Sequence, residues 1–238
     1  MIKISNLIKK YGKLEVLKGI DAEVSHGKVT AIVGPNGSGK TTIIKIILGL
    51  VKPDYGFISI DDRIINSDHE YRNNIGYMPQ IASYPENLTV IEVLSLIKDI
   101  RNRNDNPEEF LIKKFELAGE LTKPIRTLSG GNKQKLSAAI SLMFNPEILI
   151  FDEPTAGLDP VMSNRFKEIV VEEKKKDKTI ILTSHIMSEI EELADEIIFL
   201  LDGKIYYQGS VINLLFEKGE IKLEKAVAKI LQEKSTWN

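Results

Sequence analysis

Residues 34–41 read GPNGSGKT and carry the spacing of a phosphate-binding loop, with Lys40 and Thr41 at its end. Its glycines let backbone N–H groups converge on phosphate oxygens, because a residue without a Cβ can turn tightly around an anion. Lys40 is placed to reach the β- and γ-phosphates of a nucleotide, and Thr41 to ligate Mg²⁺. The residues predicted to bind nucleotide here are Gly34, Pro35, Asn36, Gly37, Ser38, Gly39, Lys40, Thr41 and Thr42.

Two adjacent acids, Asp152 and Glu153, follow the apolar stretch EILIF. Burying charge is unfavourable without a partner, which indicates that these acids have a use. Asp152 suits Mg²⁺, whereas Glu153 is placed to orient or deprotonate an attacking water. His185 follows the strand pattern TIILTS, and ligands of parallel sheets bind where strands end. Gln80, after IGYMPQ, has an amide that can bond water or metal.

A second candidate anion site opens at Ser129, where LSGGN precedes a helical pattern. The first N–H groups of a helix have no partner within the helix, and with the helix dipole they favour an anion. The residues concerned are Leu128, Ser129, Gly130, Gly131 and Asn132. The guanine-reading N-K-x-D motif is absent here, because Lys135 stands where that motif has Asp.

Strand and helix patterns alternate along most of the chain, which predicts a parallel sheet wrapped by helices. Residues 81–144 break the alternation and predict an inserted helical subdomain. One of its helices should start at a capping box formed by Thr89 and Glu92. Another should run from Asn106 to Gly119, a helix-stopping residue.

The C-terminal part carries three further signals. The charge run at 172–178 predicts a solvated helix end, and Asp202 with Gly203 predicts a hairpin turn. Residues 216–238 form a separate tail, which as an amphipathic helix would pack on the domain or dock a partner. Its apolar face would consist of Leu223, Ala226, Val227, Ile230 and Leu231.

The composition of the 238-residue chain is that of an ordinary globular protein, with a net charge of −2. This charge indicates no general affinity for nucleic acid, and no nucleic-acid partner is expected. The absence of cysteine excludes disulfides and thiolate metal sites and fits a reducing compartment. No apolar run approaches the roughly 20 residues that cross a bilayer. We therefore expect a soluble, cytoplasmic chain that meets a membrane only through a partner.

In their order, GPNGSGKTT, Gln80, LSGGN, ILIFDEP, AGLD and the pair Ser184-His185 resemble the motifs of ATP-binding cassette (ABC) ATPases over about residues 1–215. The resemblance implies an α/β fold of the P-loop NTPase (RecA-like) type. Its parallel-sheet core would carry an N-terminal antiparallel β subdomain and the inserted helical subdomain.

The resemblance also implies roles for single residues. Tyr11 would stack on adenine, and Gln80 would sense Mg²⁺ and link to the helical subdomain. His185 would contact the γ-phosphate, and Asp159 would lie in a loop that crosses a dimer interface. Residues 128–132 would be the signature, which acts on the nucleotide of the partner copy. The family most often has Gln where this chain has Asn132, and both side chains are amides.

The function implied by the resemblance is an ATP-binding and ATP-hydrolysing subunit that couples hydrolysis to transport by a separate membrane permease. ATP and Mg²⁺ would be its ligands, and ATP binding would bring two copies together as a homodimer. The chain would sit at the inner face of the membrane through its permease, docked by exposed apolar residues of 81–127 such as Tyr84 and Leu88.

A narrower resemblance rests on IGYMPQIASYPENLTV and the short C-terminus, which are similar to copper-processing or nitrous-oxide-reductase maturation subunits and to exporter-type subunits more broadly. Two other functions stay open. A soluble ABC ATPase acting on ribosomes or DNA usually has two cassettes or a long coiled-coil insert, which this chain lacks. A non-hydrolysing regulatory module is disfavoured by the presence of Glu153 and His185.

Overall fold

A computed structural model describes residues 1–65, 69–102 and 108–235 of the chain. The strands are β1 Ile2–Tyr11, β2 Leu14–Val24, β3 Val29–Val33, β4 Tyr55–Ile60, β5 Arg63–Ile64, β6 Ile75–Met78, β7 Ile148–Asp152, β8 Thr179–Thr183, β9 Glu196–Leu201 and β10 Lys204–Ser210. The helices are α1 Lys40–Ile47, α2 Val90–Ile100, α3 Glu108–Lys114, α4 Gly130–Leu142, α5 Pro160–Lys175, α6 Met187–Leu193, α7 Val211–Lys218 and α8 Leu223–Ser235.

The main sheet has six strands in the order β10-β9-β3-β8-β7-β6. Its strands pair in parallel from β9 to β6, as the alternating pattern predicts, and β10 is antiparallel to β9. Asp202 and Gly203 connect β9 to β10 with φ values of 47° and 76°. Positive φ at both positions is the requirement of a type I′ hairpin turn, so the predicted hairpin is confirmed.

A second, antiparallel sheet has the order β2-β1-β4-β5 and forms the expected N-terminal β subdomain. One apolar cluster joins this sheet to α1 and to one face of the main sheet, and a second cluster fills the opposite face. In β9, for example, Ile198 and Leu200 lie in the first cluster, whereas Ile197 and Phe199 lie in the second. Burial of both faces explains why the strands of this sheet are almost continuously apolar.

The segment between β6 and β7 is helical, with α2, α3 and α4 in place. The Thr89–Glu92 capping box is confirmed, since the Thr89 N–H donates to Glu92 Oε2 at 2.7 Å and the Glu92 N–H to Thr89 Oγ1 at 3.4 Å. The stop at Gly119 is wrong, because α3 already ends at Lys114.

Glu116 ends this helical segment in the left-handed conformation usual for glycine, with a φ of 56°. The Leu117 N–H donates to the Ile112 carbonyl at 2.8 Å, and buried Phe115 and Leu117 hold the reversal in place. Asn106, the predicted start of this helix, lies outside the described residues.

The expected exposure of Tyr84 and Leu88 is wrong because tertiary packing overrides the local pattern, whereas the charge run 172–178 ends α5 and is mostly exposed, as predicted, with two exceptions. Tyr84 and Leu88 are half-buried against the core, and burial raises the pKa of the Tyr84 phenol. In the charge run 172–178, Glu173 and Lys178 are buried and paired at 2.6 Å, because the end of α5 turns back onto β8. Lys178 also donates to Asn145 Oδ1 at 2.6 Å. The buried lysine therefore joins the connection between α5 and β8 to the connection between α4 and β7.

The C-terminal part consists of α7 and α8, and α7 crosses residue 216, where we expected the tail to begin. Packing of the tail on the domain is confirmed, because four of its five predicted apolar residues are buried. These are Leu223, Ala226, Val227 and Ile230, whereas Leu231 is 39% exposed. Across residues 1–65, 69–102 and 108–235, no helix combines the length and the apolar character that a membrane span requires.

Candidate active site

The loop at 34–41 connects β3 to α1 and is closely packed on both sides. A Cβ on Gly34 would lie 2.0 Å from the Leu200 carbonyl oxygen of β9, so this position accepts no side chain. Gly39 has a φ of 111°, and a Cβ there would lie 2.6 Å from the Leu17 side chain of β2. The glycine spacing read from the sequence is therefore required by close packing of the loop between the two sheets.

The start of α1 is prepared for an anion. Its N-cap, Gly39, makes no side-chain cap, and Lys40 Nζ lies over the loop, donating to the carbonyls of Gly34 at 2.7 Å and Pro35 at 3.1 Å. Ser38 Oγ is buried without a hydrogen-bond partner among the described residues. Burial lowers the pKa of the Lys40 ammonium, and the nearby carboxylates of Glu153 and Asp152 oppose that effect.

Asp152 closes β7 beside the last residue of β8, Thr183. The Thr183 hydroxyl donates to Asp152 Oδ1 at 2.6 Å and accepts the Glu153 N–H at 3.0 Å, so it bridges the two acids. Burial raises the pKa of the Asp152 carboxyl, and the Thr183 bond opposes that rise. The sequence analysis missed Thr183, since only strand register places its hydroxyl next to Asp152.

Glu153 and His185 meet at the carboxyl ends of β7 and β8. Glu153 Oε2 lies 2.7 Å from His185 Nδ1, and the side-chain exposures are 12% for Glu153 and 73% for His185. Glu153 has a φ of 52°, a conformation that non-glycine residues adopt at an energetic cost and that often occurs at active sites. Because a carboxylate only accepts hydrogen bonds, Nδ1 carries the proton and Nε2 is the ring nitrogen left to meet a substrate.

A cleft of about 240 Å³ brings the loop, Gln80 and the two acids together, and His185 does not line it. It is lined by Leu14, Val16, Asn36, Gly37, Gly39, Lys40, Thr41, Thr42, Gln80, Asp152 and Glu153. The predicted metal ligands Thr41, Gln80 and Asp152 all lie on this cleft. Hydroxyl, amide and carboxylate oxygens are hard donors of the kind that Mg²⁺ takes, and Mg²⁺ usually completes its shell with water and phosphate oxygens. The donor set therefore fits this ion.

Tyr11 and Asp159 do not line the cleft. Tyr11 ends β1 opposite Leu14, is 48% exposed and has Lys9 Nζ 5.5 Å from its ring centroid. Asp159 is exposed and caps α5, accepting the Met162 N–H at 3.0 Å.

The signature residues also lie outside the cleft of their own chain. Ser129 and Gly130 are exposed at the start of α4, and Ser129 Oγ accepts the Asn132 N–H at 3.2 Å. Leu128 is buried and anchors the segment. A Cβ on Gly131 would lie 3.4 Å from the Gly157 carbonyl, which places the signature beside the loop that leads to Asp159.

Gln134, which the sequence analysis did not single out, joins the two loops that carry Gln80 and Glu153. Its buried amide nitrogen donates to the carbonyls of Gln80 at 3.1 Å and Ala156 at 3.4 Å. Gln134 lies on α4, five residues after its N-cap Ser129. The amide therefore connects the start of the signature helix to both loops.

Comparisons with known proteins assign this chain to a family. The ABC transporter family matches residues 17–156. The chain is 37% identical to the lantibiotic transport ATP-binding protein SrtF of Streptococcus pyogenes, over 92% of this chain and 99% of that protein. It is 32% identical to the L-cystine transport system ATP-binding protein TcyN of Escherichia coli, over 97% of this chain and 98% of that protein.

Solved structures give the same result. An ATP-binding subunit of an ABC transporter superposes with a TM-score of 0.90 at 28% identity, covering 97% of this chain and 99% of that chain. A bacterial ABC transporter cassette solved as a dimer has a TM-score of 0.81 at 27% identity, covering 88% of this chain and 98% of that chain.

Proposed function

This chain belongs to the ABC transporter family as an ATP-binding and ATP-hydrolysing subunit that works with a separate permease, and we propose how its own residues carry out the hydrolysis. The cleft at 34–41 takes the triphosphate, with loop N–H groups and Lys40 facing the phosphate oxygens. The Lys40 ammonium, which now donates to two loop carbonyls, exchanges them for phosphate oxygens.

Thr41, Gln80 and Asp152 hold Mg²⁺ in this proposal. When bound, the ion would neutralise negative charge on the β- and γ-phosphates. Asp152 is kept in place by the Thr183 hydroxyl, so its carboxylate has a fixed orientation before the ligand arrives. Gln80 lies on the segment that leads into the helical subdomain, which would connect occupation of the cleft to movement of α2 and α4.

The observation that carries the proposal is the Glu153–His185 contact at the carboxyl ends of β7 and β8. Glu153 accepts a proton from the attacking water, or orients that water, because it is the ionisable acid one residue beyond the metal ligand. His185 holds the Glu153 carboxylate through Nδ1 and presents Nε2 to the γ-phosphate. Both groups sit where parallel strands end, the usual position of ligands on such sheets.

A second copy of the chain completes the site in this proposal. Exposure of Ser129 and Gly130, and their separation from their own cleft, support binding of the partner copy's nucleotide by residues 128–132. The similar cassette solved as a dimer adds support. Asp159, exposed at the N-terminus of α5, would lie at the same interface.

The permease would dock on the helical subdomain and hold the chain at the inner face of the membrane. With Tyr84 and Leu88 half-buried, the most exposed large apolar side chains among the described residues of this region are those of Ile81, Ile100 and Phe110, which are 81%, 70% and 67% exposed. The two relatives are named for lantibiotic transport and for L-cystine transport, so membership of the family does not determine the transported substrate. The exporter-type and copper-processing resemblances stay predictions.

Glu153→Gln tests the proposal directly. The amide keeps the size of the side chain and cannot take a proton, so hydrolysis should fall by at least about 100-fold, the scale of a lost general base. ATP binding should persist, and ATP-bound dimers should accumulate in gel filtration, because hydrolysis is what opens them. Glu168→Gln on the exposed face of α5 is the matched control and should hydrolyse ATP normally. Normal turnover by Glu153→Gln would reject the assigned role.

A further inference from the structure

Glu189 is the third residue of α6 and accepts hydrogen bonds from three hydroxyl groups. Its Oε2 accepts hydrogen bonds from the Thr155 hydroxyl at 2.8 Å and the Ser184 hydroxyl at 3.3 Å. Its Oε1 accepts a hydrogen bond from the Ser163 hydroxyl at 3.4 Å. The Thr155 bond has the usual length of an O–H···O hydrogen bond, whereas the two serine bonds are longer. Three separate parts of the chain are therefore tied to one side chain.

Two of these hydroxyls flank the proposed catalytic pair. Thr155 stands two residues after Glu153, and Ser184 directly precedes His185. Thr155 and Ser184 are buried, with 8% and 3% exposure, so water does not compete freely for their hydroxyls. Ser184 Oγ also accepts the Ile186 N–H at 3.0 Å, which fixes the backbone on both sides of His185. The same carboxylate oxygen thus anchors the chain beside each member of the pair.

We propose that Glu189 is a positioning residue, which sets the distance and orientation between Glu153 and His185. The proposal rests on the function assigned to that pair. Glu153 is held at a φ of 52°, and a strained backbone persists only where its surroundings over-determine it. The Thr155 bond to Glu189 supplies such a restraint two residues away. Glu189 does not line the cleft, so its effect passes through the residues that it holds.

This role predicts a separation of kinetic constants. The loop at 34–41 binds the triphosphate without help from Glu189, so KM for ATP should change little. The turnover number kcat should fall, because misplacing a reacting group by about 1 Å can lower a rate by about 100-fold. We expect Glu189→Ala to lower kcat by about 10- to 100-fold. Glu189→Gln should lose less, since its amide oxygen still accepts hydrogen bonds.

A matched pair of serines removes one hydroxyl each from the same carboxylate. Ser184→Ala deletes the bond to Glu189 beside His185, together with the Ile186 N–H bond, and should lower kcat, and this loss should be much smaller in a Glu189→Ala background if it acts through Glu189. Ser163→Ala deletes a bond of nearly equal length between Glu189 and α5 and should leave kcat unchanged. Glu192→Gln, on the same helix and paired with Lys167 at 2.6 Å, controls for loss of a charge from α6. If Glu189→Ala fails to fold, the serine pair decides, and equal kcat values for the two serine variants would overturn the proposal.

A double-mutant comparison separates positioning from general stability. Residues that act as one unit give non-additive losses, so Glu189→Ala should cost much less kcat in a His185→Ala background than in the unmodified chain. Fully additive losses would show that Glu189 does not act through His185. If Glu153→Gln and His185→Ala themselves keep normal turnover, the proposed function fails. If they lose turnover while Glu189→Ala keeps it, only this inference fails.

Discussion

The starts of α1 and α4 are both glycine-containing helix N-termini that could face a phosphate, yet their capping and their surroundings differ. At α1, Gly39 makes no side-chain cap, and Lys40, Asp152 and Glu153 lie on the same cleft. At α4, Ser129 caps its own helix through the Asn132 N–H and is exposed, away from that cleft. No side chain caps the first N-terminus, whereas at the second the Ser129 side chain caps one N–H, that of Asn132, and the earlier N–H groups of Gly130 and Gly131 remain available to a ligand.

This difference shows that a shared backbone motif does not determine which ligand a helix N-terminus binds. The α1 start has a cation, a candidate metal-binding carboxylate and a candidate base around it, because strands β3 and β7 end beside it. The α4 start does not line that cleft, and neither acid lies on α4. This contrast leads to the proposal that α1 binds the nucleotide of its own chain and α4 that of a second copy.

Mixing two inactive variants tests the contrast with the largest effect. Lys40→Ala removes the phosphate-facing cation and Ser129→Arg obstructs the signature, so each homodimer should lose turnover by at least about 100-fold, as when a preorganised charge-stabilising group is removed. A mixed dimer rebuilds one site from the intact Lys40 of one chain and the intact Ser129 of the other. Mixing should therefore restore part of the ATPase rate, provided one intact site fires alone.

Crosslinking decides the same question without that proviso. The chain has no cysteine, so Ser129→Cys combined with Asn36→Cys introduces the sole thiols. ATP-dependent bridging between chains on a denaturing gel is the expected result, and omission of ATP is the control. Bridging only within one chain would contradict the assignment of the signature to a partner's nucleotide.

Replacing Tyr11 sharpens the comparison on the α1 side. Base stacking on an aromatic ring contributes roughly 1–3 kcal/mol, so Tyr11→Ala should weaken ATP binding by about ten-fold or more, with GTP tolerated as well. Leu14→Ala is the companion variant, because Leu14 lines the cleft and Tyr11 does not. Equilibrium binding of a fluorescent ATP analogue would measure both. If only Leu14→Ala lowers the affinity for the ATP analogue, the residue that contacts the base lies on β2 and is not Tyr11.

The smallest expected effect concerns stability without nucleotide. Burial raises the pKa of Asp152, so the fold disfavours its ionised form, and that penalty is present at neutral pH. Asp152→Asn keeps an oxygen for the Thr183 hydroxyl and should raise Tm, by roughly 2–4 °C for each kcal/mol gained. The gain should shrink as pH falls through the raised pKa, because the aspartate then becomes neutral. A Tm gain that persists unchanged in acid would contradict this cause.

Local sequence was sufficient to predict most of the elements and to identify the polar residues that line the cleft. The apolar run of β3, the glycine spacing of 34–41 and the amphipathic helix after it predict a strand–loop–helix unit, because each signal acts within a few residues. The Thr89–Glu92 cap and the turn at Asp202 and Gly203 are equally local. The acids at 152 and 153 stand out because charge at the end of a buried strand is unfavourable without a partner.

Only the tertiary structure decided which of these groups meet. Thr183 bridges Asp152 and the Glu153 N–H because β7 and β8 pair in one particular register, across a connection that contains α5. The hydroxyls bound by Glu189, the carbonyls bound by Gln134 and the burial of Tyr84 likewise depend on elements far apart in the chain. Such contacts are chosen by the packing of whole layers, and no local pattern of residue types encodes the register of strands joined by long crossovers.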